Sequence, residues 1–107
     1  MSLSEERAAR NEALFREVNE QIADIAATAP DGDAVGFACE CSNADCNEPL
    51  LVPLSFYQQV RSHSRRFLVV PGHDNDFEHV IARHDGYAIV ENEGTAGRLA
   101  DRTDPRS

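Results

Sequence analysis

A chain of 107 residues with 41% hydrophobic content is one small domain with a single modest core, which a cross-link or a bound metal would reinforce. Its formal charge of −9, with arginine the only strongly basic residue type, repels phosphate backbones and anionic lipid surfaces and so argues against nucleic acid as a partner. No apolar run approaches the roughly 18 residues of a membrane span, and the opening MSLSEERAAR lacks the basic-then-apolar order of a secretory leader, so a cytoplasmic setting is expected.

In chain order, residues 1–29 read as one long helix. Ser2 and Glu5 have capping-box spacing, and Glu5 and Glu6 suit the positive end of the helix dipole. Phe15, Val18, Ile22, Ile25 and Ala29 alternate steps of three and four, with Leu14 beside them, and predict the buried face. Pro30–Asp33 ends the helix. So long a helix is expected to overhang a small body at its first two turns, an invitation to self-association.

Residues 34–102 read as an α+β body. Val35, Phe37, Cys39 and Cys41 alternate with Gly36, Ala38 and Glu40, which predicts a strand running into the cysteines with Glu40 on the opposite face. SNAD is turn-forming, and PLLVP reads as a second strand that closes a hairpin. Ser55 and Gln58 repeat the capping-box spacing and open a helix to about His63. RFLVV reads as a buried strand ending in the Pro71-Gly72-His73 turn, and EHVIARHDGYAIVEN as a hairpin whose Asp85-Gly86 pair suits a type I′ turn. A short helix from about Thr95 to Arg102 closes the body. RSHSRR, Arg61 to Arg66, is the one basic run, and its arginines are expected to be solvated or paired with carboxylates.

All three cysteines fall within CECSNADC. In a reducing compartment clustered cysteines are ligands or redox groups more often than disulfides, and an odd number cannot pair off within the chain. On an extended backbone Cys39 and Cys41 share a face, with Cα atoms about 6.7 Å apart, and Cys46 returns across the turn. Three thiolates at about 2.3 Å from zinc leave one corner of a tetrahedron for an imidazole, a carboxylate or water. Of His63, His73, His79 and His84, His73 is the candidate, because the Pro-Gly turn leaving a buried strand can aim it. Glu40, Asp45, Glu48, Asp74, Asp76 and Glu78 crowd the same region and could orient His73 or form a solvated acidic face. Redox chemistry of the thiols and service as small buried hydrophobes remain alternatives. The spacing lacks a Cys-x-x-Cys pair, and no Gly-rich phosphate loop or HExxH stretch is present.

In the stretches ARNEALFREVNEQI, FACECSNADC, FYQQVR, RFLVVPGH and DGYAIVE, the chain resembles an uncharacterised family of small bacterial proteins common in actinobacterial genomes. The resemblance implies that a Cys-Glu-Cys-x4-Cys element occurs together with a Pro-Gly-His turn, here Cys39, Cys41, Cys46 and His73, and implies no activity. The chain departs from the family in Ser64, where proline is common, and in Asn92, where lysine often follows.

The expectation is a single α+β domain: a long N-terminal helix packed on a small, mostly antiparallel sheet, with a structural Zn2+ on Cys39, Cys41, Cys46 and His73. The function that follows is an adaptor or regulatory module meeting a protein partner, or a second copy, through the helix. The alternative is a metal-dependent hydrolytic enzyme or a thiol redox sensor using the same cysteines.

Overall fold

In the computed structural model, residues 3–28 and 33–106 are described. Helix α1, Leu3–Ala26, contains neither glycine nor proline and places Glu5 and Glu6 in its first turn. Ser2, Ala29 and the expected Pro30 stop lie outside the described residues. At 1.5 Å per residue α1 is about 36 Å long, close to the 43 Å long axis of the molecule. It lies along the body, and Ala9 is already buried against Ala96 and Leu99 of the C-terminal helix. The expected overhang is therefore not formed beyond the first turn and a half.

The buried face of α1 also differs from the expected stripe. Leu14, Val18 and Ile25 are 61%, 42% and 73% exposed, whereas the buried row is Ala9, Glu12, Arg16, Asn19 and Ala23. That row has the three-four spacing of a packed face, but its three central members are polar. Apolarity could not reveal it, because Glu12, Arg16 and Asn19 meet polar groups of the body, backbone carbonyls and side-chain amides among them. Arg16 donates to Ser64 O (2.6 Å), Ala100 O (2.8 Å) and Thr103 Oγ1 (3.2 Å), and its guanidinium lies 4.7 Å over the Phe67 ring.

The strands form two antiparallel sheets. β1 (Ala34–Ala38) pairs with β2 (Pro49–Pro53), Gly36 opposite Leu51. β3 (Arg66–Val69), β4 (Glu78–His84) and β5 (Tyr87–Asn92) make the second sheet, in the order β3-β5-β4. The Glu40 N–H donates to Leu68 O at 2.8 Å and joins the sheets just beyond β1. Phe37 and Tyr57 stack at 4.4 Å within a core that includes Leu50, Val52, Phe67, Leu68, Val69 and Val90. The α+β class is as expected, with the single sheet divided in two.

Helix α2 (Leu54–Arg61) starts two residues earlier than a cap at Ser55 predicts. Pro53 is its N-cap and no side chain caps it, so the Ser55–Gln58 box is not used. The β4–β5 turn is not type I′, since Gly86 has φ of 84° while no residue other than glycine has positive φ among the described residues. A positive φ at the second central residue alone is the type II pattern. Helix α3 (Gly94–Arg102) follows β5. The three arginines of RSHSRR all meet carboxylates: Arg61 with Asp104 and Glu20, Arg65 with Asp101, Arg66 with Glu91.

Candidate metal centre

Strand β1 stops at Ala38, because there the Asn19 side chain of α1 takes both backbone groups. Ala38 N–H donates to Asn19 Oδ1 and Asn19 Nδ2 donates to Ala38 O, each at 2.8 Å. The chain then turns into the interior, and Cys39, Glu40 and Cys41 are all buried. This corrects the expected strand through Cys41, and it takes Glu40 out of the set of carboxylates expected either to orient His73 or to form a solvated acidic face. The Glu40 Oε2 accepts from the Tyr57 hydroxyl (2.7 Å) and Asn19 Nδ2 (2.9 Å), while Oε1 accepts from the Leu68 N–H (2.9 Å). Burial pushes the Glu40 carboxyl up from its ordinary pKa, and these three donors pull it partly back.

Cys46 and His73 each sit on a local turn, and Cys39 is held by a neighbouring segment. The Cys39 Sγ accepts the Val70 N–H at 3.2 Å. The Cys46 N–H donates to Asn43 O at 3.0 Å, and the Asn43 side chain accepts from the Asp45 N–H. The His73 N–H donates to Val70 O at 3.0 Å across Pro71 and Gly72, with Gly72 at φ 90°. Proline at the first central position and a left-handed glycine at the second make a type II turn, which carries the imidazole toward the cysteines.

The donor atoms of Cys39, Cys41, Cys46 and His73 all lie within 4.8 Å of one another, close enough to hold a metal ion. His73 Nδ1 is 3.7 Å from both Cys39 Sγ and Cys46 Sγ. A tetrahedral ion with sulfur at about 2.3 Å and nitrogen at about 2.0 Å has ligand-to-ligand edges of about 3.5–3.8 Å. The cluster is thus near the size of a filled tetrahedron. His73 Nε2 lies 3.1 Å from Glu48 Oε2. A proton on Nε2 shared with that carboxylate leaves the Nδ1 lone pair facing the sulfurs.

Cys39 and Cys41 are buried, Cys46 and His73 half-buried, so the cluster is closed on one side and reachable on the other. Burial pushes the Cys39 and Cys41 thiols up from their ordinary pKa, and the neighbouring cysteines add to this for Cys39. Loss of both protons therefore needs a compensating cation. Among the described residues this is the only cluster of three or more such side chains.

The other candidates lie elsewhere. His63 is exposed, His79 sits between Glu91 and Glu93, and His84 stacks on Tyr87 at 4.9 Å. Asp45, Asp74 and Asp76 are exposed. Glu78 is buried with Glu12. Sequence reasoning missed the roles of Asn19 and Tyr57 and misplaced Glu40. The alternation did turn Glu40 away from the cysteines, but nothing in the pattern indicated that a helix covers that side too.

No helix among the described residues is long and apolar enough to cross a membrane. Comparison with protein families, curated proteins and solved structures found no match.

Proposed function

We propose that the chain is a small zinc-binding protein in which Cys39, Cys41, Cys46 and His73 hold one Zn2+, and that it serves as an adaptor or regulatory interaction module. The observation that carries the metal reading is the 3.7 Å separation of His73 Nδ1 from two sulfurs within a four-donor cluster spanning 4.8 Å. Three thiolates and one imidazole are a donor set that zinc takes up closed and four-coordinate. Four protein donors leave no open position for water, which favours a structural or regulatory ion over a hydrolytic one. The likeness to the small actinobacterial family, which implies that these four residues occur together, belongs to the same proposal.

The interaction role is supported by Leu14, Val18 and Ile25, exposed on the side of α1 opposite the body, where a partner chain or a second copy would cover them. A second reading, thiol redox sensing, is favoured by one observation: half-exposed Cys46 has two further thiols within 4.8 Å.

Native mass spectrometry of protein purified without added metal decides between these. One zinc ion per chain is expected, with much weaker retention in His73→Ala. A folded metal-free chain whose three cysteines titrate as free thiols, with no uptake of added zinc, would end the metal reading in favour of thiol chemistry.

A further inference from the structure

The four donors are not held alike. Cys39 and Cys41 flank Glu40, whose fully buried carboxylate is gripped by α1 through Asn19, by α2 through Tyr57 and by β3 through Leu68. Its own N–H is paired with Leu68 O. Moving either cysteine backbone would strip partners from a buried hydroxyl, a buried amide and a buried N–H together. Cys46 lies instead in residues 42–48, which form neither helix nor strand. His73 is 32% exposed and leans on Glu48, itself 56% exposed.

We propose that Glu40 is the positioning residue of the metal centre, fixing Cys39 and Cys41 in the folded chain whether or not metal is bound. The ion then enters and leaves on the side of Cys46 and His73, without unfolding of the domain. This rests on the reading of the four residues as metal ligands and changes its consequence: the centre is reversibly loaded, so metal can act as a signal rather than as a folding requirement. A glutamine at position 40 cannot replace the carboxylate, because its amide nitrogen would face one of three donors with no acceptor to offer.

The test compares wild type with Glu40→Gln and with Tyr57→Phe, which removes one donor and keeps the carboxylate. Val90→Ala, a truncation in the same apolar core that leaves every hydrogen-bond partner of Glu40 in place, is the control for lost stability. In the metal-free wild type, 5,5′-dithiobis(2-nitrobenzoate) should modify one cysteine quickly, Cys46, and two slowly, while far-UV circular dichroism keeps the folded signal. In Glu40→Gln the slow pair should react at least about tenfold faster, and zinc affinity against a chromophoric chelator should fall about 10- to 100-fold, the usual range for groups that orient ligands. Tyr57→Phe should fall between, and Val90→Ala should keep wild-type affinity.

Unchanged slow thiols in both Glu40→Gln and Tyr57→Phe, an equal loss of affinity in Val90→Ala, or loss of the folded signal on metal removal from wild type would each overturn the proposal. If wild type binds no zinc at all, the metal reading fails separately, and the thiol reactivities still report whether Glu40 holds Cys39 and Cys41.

Discussion

Glu12 and Glu78 put two carboxyl groups together inside the protein. Glu12 accepts from Asn92 Nδ2 (2.9 Å) and Asn75 Nδ2 (3.2 Å), and Glu78 Oε1 accepts the Asn75 N–H (3.0 Å). Glu78 Oε2 is buried without an N–H or O–H donor, but the two carboxyls are within hydrogen-bonding reach of each other. One proton shared between them would relieve the repulsion of two buried charges. Burial, then the neighbouring Glu12, pushes the Glu78 carboxyl up to about 10, and burial raises Glu12 as well. Between the ordinary carboxyl value of 4.5 and about 10 the unfolded chain has lost a proton that the folded chain keeps. Stability therefore falls as pH rises through this window, by up to about 1.4 kcal/mol per unit. Urea denaturation from pH 5 to 9 should show the decline. Glu78→Gln, which mimics the protonated acid, should flatten it and be the more stable protein at pH 8.

The thiols run in the opposite sense with respect to metal. Cys39 and Cys41 are raised by burial, so both are protonated at neutral pH without a cation and both lose protons when one binds. Calorimetry in buffers of different ionisation enthalpy should record release of at least two protons per zinc, two of them from this pair. Affinity should rise with pH accordingly.

Among the elements, α1 decides how the chain is held together, and it does so with polar side chains. Arg16→Met keeps an aliphatic stem against Phe67 but leaves the carbonyls of Ser64 and Ala100 without this donor. It should destabilise by about 2–4 kcal/mol in urea denaturation. Ile25→Ala, at an exposed member of the apolar stripe, should stay within about 0.5 kcal/mol. Helix α3 is similarly constrained at Gly97, where an added Cβ would come within 2.9 Å of both Asn92 O and the Arg65 guanidinium. Gly97→Ala should therefore cost about 1–3 kcal/mol through displacement of α3 from β5.

These positions also mark how far the sequence could be read. The hairpins were legible because strand period and turn residues are local signals, and the Pro-Gly-His turn because only certain residues suit its backbone. Gathering of the cysteines pointed to the cluster, and the turn chemistry selected His73 from four histidines. The buried face of α1 was not legible. Its partners are backbone groups of residues 38, 64 and 100 and the side chains of Glu40, Asn75, Asn92 and Thr103, brought there by tertiary structure alone. The inward turn of Glu40 was hidden for the same reason, since alternation tells which side a residue takes but not what covers that side.

At the scale of the whole molecule, residues 39–41 and 73 come from segments more than thirty positions apart, brought together by the contact between the β1 exit and β3. Bound metal should add to stability by mass action, about 2.7 kcal/mol at a free concentration one hundred times the dissociation constant. The core of Phe37, Tyr57, Phe67 and Val90 is buried away from solvent on its own account. Chelator should accordingly lower the midpoint of thermal unfolding while leaving a cooperative transition.

The grip of Asn19 on Ala38 has a consequence for how these molecules behave in a crowd. A two-stranded ribbon ordinarily offers a row of unsatisfied peptide groups on which a foreign strand can be templated. Here a side-chain amide stands in for the next strand at the end of β1, and prolines terminate β2 at both ends. Both strands of the ribbon thus carry a feature that disfavours edge-to-edge growth into fibrils, and on β1 it is the same asparagine that shapes the approach to the metal centre.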